Sequence, residues 1–130
     1  MIEPKKLTKK EKDRNRKLME EIIRYLCKHE LFYDVFLYTN GRKYSSEANP
    51  NATECTTYGH KYYDYGEWDV VKQIEYNNPN TITMTFEGPL YDAYNGYVSR
   101  PNAEEDIQKI ADKYGLYAEQ GYAWSLAFYE

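Results

Sequence analysis

The side chains whose types and spacing could do chemistry gather just before the middle of the chain. Tyr58, His60, Tyr62, Tyr63, Asp64, Tyr65, Glu67 and Trp68 follow one another closely, with Asp69 next in line. A histidine among carboxylates supplies a general base or a divalent-metal hydrolase, with Tyr58 or Tyr62 as proton donor. The carboxylate followed by Glu-x-Lys that marks restriction-type nucleases is missing from this stretch. A second set, Cys27, His29, Cys55 and His60, has the atom types of a zinc site. Structural zinc sites hold their ligands in tight pairs on a turn. Two helical residues at the spacing of Cys27 and His29 would point about 200° apart. They are read as a buried thiol and surface imidazoles, and no metal is expected. No glycine-rich phosphate loop, dinucleotide fingerprint, Gly-x-Ser-x-Gly elbow or His-Glu-x-x-His pair occurs, so no cofactor is expected either.

What remains is a surface for contact. The chain has sixteen tyrosines. Tyrosine offers a broad apolar face, a polar tip and only two rotatable angles to freeze. Strand-like alternation would put Tyr58 and Tyr62 on one face and Tyr63 and Tyr65 on the other, and a domain this small cannot readily bury both as core. The stretch from Glu47 to Trp68 therefore reads as a loop, with Tyr58 to Trp68 as its exposed, partner-binding part. Its acids would orient the approach and its rings would anchor the contact.

Charge narrows the choice of partner. The net charge of -4 is split between +5 over residues 1–28 and -9 over residues 29–130. In the basic arm, Lys9, Lys10, Lys12, Arg14, Arg16 and Lys17 could neutralise phosphates while tyrosines stack on unpaired bases. That is the first alternative, a nucleic-acid-binding accessory protein; the second is a metal-dependent hydrolase around His60 and Asp64. The acidic, aromatic body instead suits a protein with a basic surface, and such surfaces belong above all to proteins that handle nucleic acid. In size, acidity and lack of a catalytic signature the chain resembles phage and mobile-element inhibitors of host defence, such as anti-CRISPR and antirestriction proteins. The resemblance implies a non-enzymatic inhibitor or regulator. Its acid is too sparse for DNA mimicry, so steric or allosteric blocking is expected.

The elements that must position these residues follow from periodicity. Residues 1–14 read as a basic, partly disordered arm and 15–130 as a single α+β domain. Leu18, Ile22 and Leu26, with Met19 and Ile23 beside them, predict a helix from near Asn15 to near His29. Residues 33–39 and 42–46 form a hairpin around Asn40-Gly41. A second hairpin is expected over 68–76 and 81–87, where Ile82, Met84 and Phe86 alternate with Thr81, Thr83 and Thr85 to give a covered face and a wet one. Gly88-Pro89 opens a short helix that Gly96 closes. Asn102 with Glu105 starts another, near 102–114. A final strand runs over 122–129, with Tyr122, Trp124 and Phe128 on one alternate set. The expected fold is an antiparallel sheet of four to five strands with both longer helices packed on one face. No apolar run of signal-peptide length follows the opening Met-Ile-Glu-Pro-Lys-Lys, so a cytoplasmic protein without a membrane segment is expected, with Cys27 and Cys55 as free thiols. Its aromatic surface and open strand edges allow a homo-oligomer.

Overall fold

A computed structural model of the chain describes residues 2–130; Met1 of the expected arm lies outside the described residues. The first helix, α1 (Lys9–Lys28), begins at Lys9 rather than near Asn15. The lysines of its first turns oppose the helix dipole, but a capping box answers them. Thr8 Oγ1 accepts from the Glu11 N–H, and the Glu11 carboxylate accepts from the Thr8 N–H. Lys5 adds an ion pair to Glu11 at 2.6 Å. That hydrogen-bonded ammonium, followed by the Thr8 N–H, lowers the Glu11 carboxyl from 4.5 to about 2. Further along, Leu18, Met19, Ile22, Ile23 and Leu26 are fully buried at helical spacing. Asn15, also buried, donates to Asn40 Oδ1 and to the Asn80 carbonyl, which ties the helix start to two turns.

The strands are β1 (Val35–Thr39), β2 (Arg42–Ser45), β3 (Thr53–Thr57), β4 (His60–Glu67), β5 (Ile82–Phe86), β6 (Tyr117–Gln120) and β7 (Ser125–Tyr129). They form one antiparallel sheet in the order β3-β4-β2-β1-β5-β7-β6, so the sheet has seven strands and not four or five. Two strands come from the stretch expected to be a loop. β3 and β4 form a tight hairpin because Tyr58 and Gly59 both adopt left-handed backbone (φ 51° and 80°), as a type I′ turn requires. Asn40 and Gly41 do the same between β1 and β2. The third additional strand is β6, which pairs with β7 alone.

The segment expected to be a strand over 68–76 is not one. Asp69 caps a helical turn, α2 (Val70–Gln73), by accepting from the Val71 N–H. The chain then runs over the back of the sheet, where Asn78 donates its N–H to Thr83 Oγ1 and its side-chain amide to the Phe128 carbonyl. The threonine face of β5 is accordingly not wet: Thr81, Thr83 and Thr85 are all buried. Val70 and Ile74 pack there with Tyr38, flanked by Phe36, Trp68 and Val71, as a small second core.

The main core lies on the opposite face. There α1, α3 (Pro89–Tyr94) and α4 (Ala103–Asp112) cover Val35, Leu37, Ile82, Met84, Phe86, Leu126 and Phe128. Asn102 caps α4 through the Glu105 N–H, and Gly96 and Gly115, both at positive φ, follow α3 and α4. The fold is thus α+β: three helices on one face of an antiparallel sheet and a single crossing segment on the other. No helix among the described residues is long and apolar enough to cross a membrane.

Candidate functional site

The eight residues from Tyr58 to Trp68 do not share one surface, because a strand sends alternate side chains to opposite faces. Tyr62 points toward the helices and belongs to the main core, where burial pushes its hydroxyl up to about 12. His60 and Asp64 flank it on the same face. Four residue steps along the strand set their Cα atoms roughly 13 Å apart, too far to share one reacting water. Asp64 is held by the Arg42 guanidinium at 3.0 Å and accepts from the Gly66 N–H, which uses its oxygens structurally. Tyr63 and Tyr65 point to the other face, half-buried; Tyr65 donates to the Glu47 carbonyl. Tyr58 stands exposed at the hairpin tip with the Arg24 guanidinium 4.6 Å from its ring centre. Glu67 is exposed at the far end of β4.

Trp68 closes a different arrangement. The Lys43 ammonium lies 4.2 Å from its ring centre, 4.5 Å from that of Phe36, 5.5 Å from that of Tyr65 and 5.9 Å from that of Tyr38. Four rings thus surround one cation of the same chain, an arrangement that attracts the ammonium through the ring quadrupoles. Burial works in the opposite sense and lowers the Lys43 pKa. Tyr65 and Trp68, with Phe36 and Tyr38, thus help hold the back of the sheet together.

The two cysteines stand as free thiols, both half-buried, with burial raising each pKa. His29 packs its ring on Tyr25 at 4.6 Å. Among the described residues no group of three or more His, Cys, Asp or Glu side chains is placed to hold a metal.

A contact surface that sequence analysis did not assemble lies at one end of the sheet. The loop between β6 and β7 presents Tyr122 and Trp124 with their rings stacked at 4.9 Å and 12°. Tyr76, from the crossing segment, meets Tyr122 edge-on at 5.0 Å. Tyr122 donates a short hydrogen bond to the Glu75 carboxylate, which together with its charge raises the phenol pKa. All three rings remain substantially exposed, at 46%, 37% and 37% for Tyr76, Tyr122 and Trp124. Gly121 makes the ladder possible: a Cβ there would stand 2.4 Å from the Tyr76 Cβ.

The charges around this ladder are unbalanced. The Phe86 N–H donates to the Trp124 carbonyl and the Glu87 N–H to the Asp34 carbonyl, which brings Asp34 and Glu87 beside the rings. Glu47 joins them by accepting from the Asp34 N–H. Asp34, Glu47, Glu75 and Glu87 are exposed, and none has a cationic partner among the described residues. The basic start of α1 lies at the opposite end, where Arg14 pairs with Glu130 just past β7.

Tyr76 is distant in sequence from Tyr122 and Trp124, so no local pattern could have joined them; only the alternation of Tyr122 and Trp124 was visible. No family model matches the chain, and comparison with curated proteins and with solved structures found no match.

Proposed function

We propose that the chain is a cytoplasmic, non-enzymatic binding module that docks on the basic surface of another protein, of the kind that nucleic-acid-handling proteins carry. The observation that carries the reading is the exposed Tyr76–Tyr122–Trp124 ladder with nearby carboxylates that form no ion pair among the described residues. Exposed aromatic side chains with few rotatable angles, already held by one another, lose little freedom on binding. Unpaired acids beside them steer a cationic partner into place. Steric blocking of that partner is the consequence, matching the inhibitor role implied by the chain's likeness in size and charge to anti-CRISPR and antirestriction proteins. In this reading Tyr122 and Trp124 are the anchors, Asp34, Glu75 and Glu87 set orientation, and Tyr58 offers a further exposed ring. Tyr62, Asp64 and Trp68 hold the fold.

The test is capture of partners by the tagged chain from a bacterial lysate with and without nuclease treatment, run beside Trp124→Ser and Tyr58→Ser variants. A stoichiometric basic protein retained by the wild type, depleted at least tenfold by Trp124→Ser and little changed by Tyr58→Ser supports the reading. Retention that is equal in all three chains, or that vanishes with nuclease in the wild type, refutes it.

A further inference from the structure

The end of the molecule opposite the ring ladder carries a groove of about 740 Å³ between the segment leading into α1, the β1–β2 turn and the start of the crossing segment. Lys6, Lys12 and Arg42 line it, together with Trp68 and Glu67. Lys6 and Lys12 are exposed and take part in no ion pair among the described residues. Arg42 is fixed by Asp64 through Nε alone, so its two Nη groups face no acceptor among the described residues. The indole Nε1 of Trp68 is buried with no hydrogen-bond partner. A buried donor left without an acceptor is a cost that an acceptor reaching it would relieve.

We infer that this groove binds a nucleotide unit, with its phosphate on Lys6, Lys12 and Arg42 and its base or sugar against Trp68. The three cations favour an anion, while the tryptophan adds an aromatic wall that a base can cover and a bare anion cannot use. Asp69, which also lines the groove, is engaged in capping Val71 and in pairing with Lys72 at 3.9 Å. That leaves Glu67 as the one uncommitted carboxylate, an acceptor for a sugar hydroxyl or a base amino group. Two sources present this chemistry: a free nucleotide and the end of a single strand. Lys9, Lys10 and Lys17, exposed along the same helix and likewise without ion-pair partners, give a strand further phosphate contacts beyond the groove. The site does not depend on the docking end, and either can fail alone.

The two tryptophans give two indole N–H resonances, which a Trp124→Phe variant assigns. The full chain is titrated with thymidine monophosphate, with a short single-stranded oligothymidylate and with pyrophosphate, while the Trp68 indole resonance is followed. A saturable shift with either nucleotide ligand, and an affinity at least tenfold lower in the Lys6→Gln/Lys12→Gln chain, is the expected result. Tighter binding of the oligonucleotide identifies a strand as the source; equal affinity identifies the free nucleotide. No saturable shift with either, pyrophosphate binding as tightly as both, or unchanged affinity in the double lysine variant overturns the assignment.

Discussion

Replacing Gly121 by alanine tests the ring ladder without altering any ring. The backbone at Gly121 does not need positive φ, so the substitution acts through space alone. The new methyl would stand 2.4 Å from the Tyr76 Cβ and 2.7 Å from its Cγ and Cδ2. Carbon atoms rest at about 3.5–4 Å, so Tyr76 must retreat by at least ~1 Å. Its exposed side leaves room to do so, and the edge-on pairing with Tyr122 is lost. Such a pair contributes about 0.5–1.5 kcal/mol beyond area burial. With some residual strain the expected destabilisation is about 1–2 kcal/mol, or a Tm lower by roughly 3–10 °C for a chain of this length. Calorimetry measures the loss, and near-ultraviolet circular dichroism reports the Tyr122–Trp124 stack. An unchanged Tm with the Tyr76–Tyr122 proton contacts intact by NMR would refute the contact argument. A loss above ~4 kcal/mol would show instead that the ladder is core and not a surface.

Other outcomes follow from the same structure. Leu126→Ala, in a fully buried position of β7, is expected to cost about 2–5 kcal/mol by denaturant titration. Asn78→Ala removes the donor to the Phe128 carbonyl and should cost about 1–3 kcal/mol, with faster exchange of backbone amides in β5 and β7. The Tyr62 hydroxyl is raised from 10.0 to about 12, so its contribution to stability is complete below pH 10 and is lost as pH rises through 12. Alkaline unfolding of a Tyr62→Phe chain should lack that component. The Glu11 carboxyl, lowered from 4.5 to about 2, contributes above pH 4.5 and ceases to as pH falls through 2. Its NMR titration midpoint near 2 checks the clasp with Lys5, and a midpoint near 4.5 would remove it.

The parts of the fold that rest on short-range rules were legible in the sequence. The apolar stripe of α1, the Asn40-Gly41 turn, the alternation of β5 and the Asn102 cap each needs only neighbours in the chain. The β3–β4 hairpin escaped because its turn is Tyr58-Gly59, where a tyrosine takes the left-handed conformation usually left to asparagine, aspartate or glycine. The 68–76 segment reads as a strand, but the Asp69 cap and the apolar back of β1 draw its Val70 and Val71 into a helical turn on the sheet. β6 gave no signal because its four residues, Tyr117 to Gln120, lack an apolar alternation. For the candidate site, the tyrosine density was legible but its division between two sheet faces was seen only as a conflict. The ladder depends on Tyr76 meeting Tyr122, a contact that only the tertiary fold creates.

The strand order also sets a sequence of events in folding. β1 to β4 are joined to one another by neighbours close along the chain, and two of their turns are two residues long. That sub-sheet can close with little loss of loop entropy. β5 has no such local partner: it joins β1 through Leu37↔Met84 on one side and β7 through Met84↔Leu126 on the other. Until β7 arrives, β5 exposes a bare hydrogen-bonding edge and a row of apolar side chains, the condition in which strands pair with the wrong chain. Slow refolding and aggregation should therefore track the late docking of β7, with β6 on its outer edge, against β5, and substitutions in the first hairpins should leave that step untouched.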